Sequence, residues 1–172
     1  MDATALRALQ APLKQKYRDD PAIARVVARA EVALDPPQIA ALLRGGALRI
    51  AGLHQATGGT GAHACSADML LEALAACAGV TLMAVATSMA CNLTGGRVVA
   101  EGVWNARGTL GVDKTTPVGI QDITMTFELE GDLDEPTRQR LVQLTERYCV
   151  VLATLRQPPR LSVAISTPLR SD

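Results

Sequence analysis

Aromatic residues are nearly missing from this sequence: one Trp, two Tyr and one Phe in 172 residues. A core made without them rests on Ala, Val, Leu and Ile, and few rings remain to stack on bases or sugars. Histidine is as scarce. His54 and His63 are the only two, so a three-histidine metal site is excluded, and no Cys/His spacing of a metal site replaces it. The four cysteines, Cys65, Cys77, Cys91 and Cys149, form no CxxC pair, which excludes a zinc ribbon and a thioredoxin motif. An excess of either charge is also lacking, because seventeen basic residues balance seventeen acidic ones. With no basic patch, no nucleic-acid partner is expected. The first twenty residues have no apolar h-region and carry Arg7, Lys14, Lys16, Arg18, Asp19 and Asp20, so they do not read as a signal peptide.

What is present is a chain of one-domain length, 48% hydrophobic, able to bury a core without disulfide or metal staples. The most apolar stretch, Met69 to Ala90, has the length of a membrane span. Glu72, Thr81, Thr87 and Ser88 interrupt it and much of it is Ala, so it reads as a buried core helix. A cytoplasmic protein without membrane contact is the expectation.

Residues 3–18 read as a helix, with Leu6, Leu9 and Leu13 on one face, and Asp20-Pro21 breaks it. This divides the chain into an N-terminal helical extension, residues 1–21, and a domain over residues 22–172. Alternation from Ala28 to Leu34 predicts a strand. Residues 38–44 and 47–53 predict a hairpin about Gly45-Gly46, with one or two helical turns over 38–44 as the alternative. After the glycine-rich stretch Thr57 to Gly61, Ser66 is placed to cap a helix running to about Met89, with Asp68 in its first turn. That helix is apolar nearly all round and is expected to be buried. Strands follow over about 97–107 and 118–129, with a loop over 108–117 between them. Asp134-Glu135-Pro136 starts a second helix, read as continuous to about Leu155. Pro158-Pro159 ends it, and the alternation of Leu161, Val163 and Ile165 predicts a last strand. The sum is an α+β fold with a mostly antiparallel sheet.

Chemistry centres on two cysteines, one on each long helix. Cys77 sits among small residues, Ala75, Ala76, Ala78 and Gly79, which leave room for a substrate or a partner helix near the sulfur. Thr81, four residues on, shares its helical face and is placed to donate to a thiolate. Cys149 lies near Arg147 and Arg156, and arginines stabilise thiolates. Taken singly, each cysteine is better read as core packing. Cys65 and Cys91 are read as incidental, and Trp104 and Phe127 as sheet packing.

The stretch Ser66-Ala67-Asp68-Met69-Leu70-Leu71-Glu72-Ala73-Leu74-Ala75-Ala76-Cys77 resembles the OsmC/organic hydroperoxide resistance family, whose pattern is an acidic residue, an aliphatic run, Ala-rich positions and a cysteine. Glu146-Arg147-Tyr148-Cys149 is similar to that family's second cysteine helix. The likeness extends over about residues 22–167. Ala67 stands where the family commonly has Pro, Asp68 where it has Glu, and Val150 where Pro is frequent. These departures place the chain in a divergent OsmC-like branch. The resemblance implies an OsmC-like fold with two central cysteine-bearing helices in an intertwined homodimer, without metal or cofactor. It implies a thiol peroxidase for organic hydroperoxides. Cys77 would attack the peroxide, become a sulfenic acid and condense with Cys149, and a small or lipoyl-type dithiol would reduce the disulfide. It further implies Asp68 as the acidic residue and an arginine orienting the thiolate, for which Arg49, His54 and Arg29 are the candidates. Set against this enzyme stand two other readings. One is a dimer that binds a small apolar ligand, the cysteines only lining the pocket. The other is a redox sensor.

Overall fold

A computed structural model of the chain describes residues 2–4, 8, 11, 15, 19, 31–35, 40–44, 49–111 and 113–166. Ala3, Thr4, Ala8, Ala11, Gln15 and Asp19 are helical, as expected of the N-terminal segment. The Asp20-Pro21 break, the Gly45-Gly46 turn and Arg29 lie outside the described residues.

The first sheet has the order β1-β2-β3-β4: Glu31–Asp35, Ala40–Arg44, Arg49–Gly52 and the short Ala64–Cys65. β2 and β3 pair antiparallel, Leu42 opposite Ile50, as the hairpin reading requires. β4 runs parallel to β3, so this sheet is not wholly antiparallel. The second sheet is the antiparallel pair β5 (Asn92–Val103) and β6 (Gln121–Asp132). β6 shows strict alternation. Ile123, Met125, Phe127 and Leu129 turn inward, while Thr124, Thr126, Glu128 and Glu130 are exposed. Both strands are shifted from the expected 97–107 and 118–129, β5 toward the N-terminus and β6 toward the C-terminus. At Gly96 the backbone has φ +132° and a Cβ would collide with the Glu128 carbonyl, so the close approach of β5 to β6 there needs glycine.

The long helix α1 spans Ser66–Ser88 and lies on β5. Ser66 does not cap it. Cys65 holds the capping position, makes no side-chain cap bond, and leaves Ser66 as the first helical residue. A second expectation also needs correction. α1 is not buried all round: one stripe, Leu74, Ala78, Leu82 and Ala86, is buried at four-residue spacing, while Val80 and Met83 are 63% and 57% exposed. A one-turn helix, α2 (Ala106–Thr109), occupies the start of the expected loop after β5. Helix α3 (Glu135–Tyr148) begins where Asp134-Glu135-Pro136 places it, with the Asp134 carboxylate accepting from the Thr137 N–H at 2.9 Å. α3 and the short α4 (Val150–Arg156) both pack against α1.

The core has two centres along α1. Leu74, Ala78 and Cys149 form one, and Leu82, Ala86 and Leu141 form the other. Burying a leucine such as Leu74 or Leu141 completely is worth about 1.5–3 kcal/mol. Arg138 ties α3 to the sheet end by donating to the carbonyls of Leu129 at 2.7 Å and Leu133 at 3.1 Å.

The expected last strand is not formed. Leu161 to Ser166 have no regular structure, and Leu161, Val163 and Ile165 are 87%, 97% and 99% exposed. Alternation gives this segment an apolar face, but a strand also needs a hydrogen-bonded neighbour, and no described strand pairs with it.

Candidate active site

The second helix of the sequence reading is in fact two helices, and the break falls on Cys149. Its φ −70° and ψ 110° are extended, so it closes α3 and precedes α4. Its N–H still donates to the Thr145 carbonyl and its carbonyl accepts from the Ala153 N–H, each at 2.9 Å. Val150 and Val151, β-branched neighbours with restricted χ1, follow the break directly. Because α4 starts afresh, its first N–H groups have no carbonyl partner within the helix. Those of Val150 and Val151 act on the Cys77 thiol and lower it.

Cys77 and Cys149, 72 positions apart (149 − 77), are thereby brought into one cluster. Cys149 is fully buried beside Leu74 and Ala78, and Cys77, half-buried, packs against it. Both are free thiols. Burial pushes the Cys77 thiol up, but the Val151 N–H, the Cys149 thiol, the Val150 N–H and the Thr81 hydroxyl together outweigh it. The net result is a thiol below its ordinary range. Burial also raises Cys149. The Leu152 N–H opposes that rise, while donation to Cys77 and the negative charge on Cys77 add to it, so Cys149 ends above the ordinary range. The two thiols are shifted in opposite directions, Cys77 toward the more acidic and Cys149 toward the less acidic side.

Thr81 is on the predicted face. Its hydroxyl donates to the Cys77 carbonyl at 2.7 Å and contributes least among the groups acting on the Cys77 sulfur. Asp68 is exposed in the first turn of α1, nine residues and two and a half turns before Cys77, which puts it on the opposite side. His54 is not beside Cys77. Its Nδ1 accepts from the Ala56 N–H at 3.0 Å, capping a 3-10 turn at Gln55–Thr57. Its ring meets Trp104 edge-on at 5.0 Å, so Trp104 does more than fill the sheet. Arg49 lies on β3 opposite Leu43. The arginines flanking Cys149 turn away: Arg147 stacks over Tyr148 at 5.4 Å, and Arg156 pairs with Glu146 at 3.4 Å. Among the described residues, the groups that lower the Cys77 thiol are backbone N–H groups, a thiol and a hydroxyl, not a cation. The sequence reading missed Val150 and Val151, because backbone donors carry no residue signature. Only the Val-Val pair after Cys149 hints at the break.

Two cavities lie against α1 and α4. One, of about 450 Å³, lies between α1 and β5 and is lined by Ala75, Ala76, Gly79, Met83 and Val98 among others. Another, of about 420 Å³, lies between β6 and α4, with Leu74, Ile123, Leu152 and Leu155 in its walls. Among the described residues, no cluster of His, Cys, Asp and Glu could hold a metal ion.

A family model described as OsmC-like protein matches residues 59–164. Solved structures share the fold at low identity. An OsmC-like protein from Mycoplasma pneumoniae aligns with TM-score 0.65 and 15% identity over 77% of this chain and 89% of its own. A Legionella pneumophila protein described as an organic hydroperoxide resistance protein OsmC aligns with TM-score 0.61 and 14% identity, over 77% and 93%. The organic hydroperoxide resistance protein OhrB of Bacillus subtilis aligns with TM-score 0.56 and 16% identity, over 77% and 94%. A comparison with curated protein sequences found no match.

Proposed function

Since this chain belongs to the OsmC-like protein family, we propose that it is a thiol-dependent peroxidase reducing organic hydroperoxides through Cys77 and Cys149. The observation that carries this reading is the contact of two free thiols whose acidities are driven apart. A thiolate is the nucleophile such chemistry needs, and a neutral thiol beside it is the group needed next. The Cys77 thiolate attacks the outer peroxide oxygen, the O–O bond breaks, and the alkoxide leaves as an alcohol on taking a proton. Cys77 is then a sulfenic acid. The Cys149 sulfur attacks it, water leaves, and a Cys77–Cys149 disulfide remains. A dithiol returns both thiols and is itself oxidised. The small residues flanking Cys77 and the apolar surroundings suit an organic peroxide better than a charged substrate. A homodimer in the cytoplasm is part of this reading. Its support is the uncovered face of α1: Leu70, Val80 and Met83 are 40%, 63% and 57% exposed.

The test is a thiol count. Reduced protein treated with cumene hydroperoxide is expected to lose two thiols per chain, and Cys77→Ser to lose none and consume no peroxide. Turnover by Cys77→Ser at the wild-type rate ends the assignment. Undiminished thiols in the wild type instead favour an apolar-ligand binder using the cavity between α1 and β5.

A further inference from the structure

We propose that the reductant attacks Cys77 of the Cys77–Cys149 disulfide and not Cys149, so that the mixed disulfide is carried on Cys77. The proposal rests on the two-cysteine reading above and adds the order of sulfur exchange. An entering thiolate must reach the sulfur it attacks, and access is one of the terms that decides between the two sulfurs of a disulfide. The two differ in this respect. Cys149 is 0% exposed and shares its cluster with Leu74 and Ala78, also 0% exposed. The cavity between β6 and α4 reaches Leu74, Leu152 and Leu155, but Cys149 is not in its wall. Cys77 is half-buried at the edge of the same cluster. Val150, whose N–H acts on the Cys77 thiol, is 70% exposed. A thiol therefore reaches Cys77 without opening the core, whereas attack on Cys149 needs α1 and α4 to separate.

Leaving-group chemistry alone points the other way. A more acidic thiol leaves faster, and Cys77 is the more acidic of the two. Access decides the first step and acidity favours the second. In the first, the entering thiolate bonds to the Cys77 sulfur, the Cys77–Cys149 bond breaks, and its electron pair leaves on Cys149, which takes a proton. In the second, the other thiol of the same dithiol bonds to the first, and Cys77 departs as the stabilised thiolate. The dithiol leaves as a cyclic disulfide, and two electrons have passed to the protein. Cys149 is the poorer leaving group and burial makes it poorer still, so access alone directs the first step to Cys77.

The experiment uses the full chain oxidised with one equivalent of cumene hydroperoxide. A sub-stoichiometric amount of 2-mercaptoethanol is added, the mixture is quenched with acid, and free thiols are blocked with N-ethylmaleimide. Fragment-ion mass spectrometry then locates both labels. The expected result is mercaptoethanol on Cys77 and maleimide on Cys149, in excess over the reverse pattern by at least about tenfold. Equal or reversed labelling overturns the proposal. Absence of a disulfide after peroxide counts against the peroxidase reading alone, and the same labelling is then run on protein oxidised with diamide. Failure of diamide to bridge the pair overturns the exchange order as well, because no bond exists to attack.

Discussion

Burial raises both thiols, yet only Cys149 ends above the ordinary thiol value of 9.0. The difference is made by what each sulfur receives. Each thiol has two backbone N–H groups acting on it, but the Cys149 thiol donates to Cys77, which lowers Cys77 and raises Cys149. The signs carry over to pH dependence. The depressed Cys77 thiol contributes stability at pH above its unfolded value, and that contribution is lost as pH falls through the folded value. The raised Cys149 thiol contributes stability below its unfolded value, lost as pH rises through the folded one. Iodoacetamide labelling of Cys77 is therefore expected to have its midpoint below pH 9.0. In Cys149→Ala, which removes a donor, the midpoint should move upward; in Cys149→Ser, which keeps one, it should move less. An unchanged midpoint in Cys149→Ala would mean the second thiol has no part in activating the first. Of these residues only the helical face of Thr81 was legible in the sequence, since four-residue spacing fixes a face but not that the hydroxyl turns to the Cys77 carbonyl. His54, Asp68 and Arg147 were not, because nearness in sequence does not say which way a polar side chain turns.

At the scale of elements, the break between α3 and α4 matters most. A continuous helix would have tied the N–H groups of Val150 and Val151 to carbonyls four residues back, leaving none for Cys77. Val150→Pro tests this with little disturbance. Proline at the first position of a helix is favourable, and the extended Cys149 before it is a conformation that proline allows. The expected change in stability by urea titration is within about 1 kcal/mol. The labelling midpoint of Cys77 should nevertheless rise, because one N–H donor is gone. A stable variant with an unshifted midpoint would remove Val150 from the account. The start of α3 was readable because Asp134, Glu135 and Pro136 act locally and each has one favoured place. The break was not, since Tyr148, Cys149, Val150 and Val151 tolerate a helix and only tertiary packing selects the extended Cys149. The final segment failed for the complementary reason: its alternation is local, but the strand it would form depends on a neighbour elsewhere.

For the whole molecule, the uncovered surfaces bear on assembly. Only 22% of the most apolar stretch of α1 is buried within the chain. Leu161, Val163 and Ile165 are almost fully exposed as well, and apolar surface left open in this way calls for a covering partner. Light scattering at micromolar concentration is expected to give twice the chain mass, and Val80→Asp, which charges the exposed face of α1, to shift it toward one. A wild-type mass of a single chain would discard the homodimer. The family was legible because two cysteines, each in its own expected context, coincide in one chain. The polarisation of the pair was not, since it depends on a helix start created only by folding.

The contact between Cys77 and Cys149 also has a thermal consequence. Joining them cross-links the chain across 72 positions (149 − 77). A loop of that length removes enough freedom from the unfolded chain to stabilise the folded one by up to about 4 kcal/mol. For a chain of this size that corresponds to a melting temperature higher by roughly ten degrees. The oxidised protein is then the heat-resistant one, and reductant softens it. Scanning calorimetry with and without one equivalent of peroxide should show the two transitions, and equal melting temperatures would mean the bridge costs in native strain what it removes in chain entropy. On the proposed two-cysteine mechanism, an oxidant would act through this cross-link as a folding ligand does: each turnover would pass through a tighter molecule, and the dithiol supply would set how long the chain stays in it.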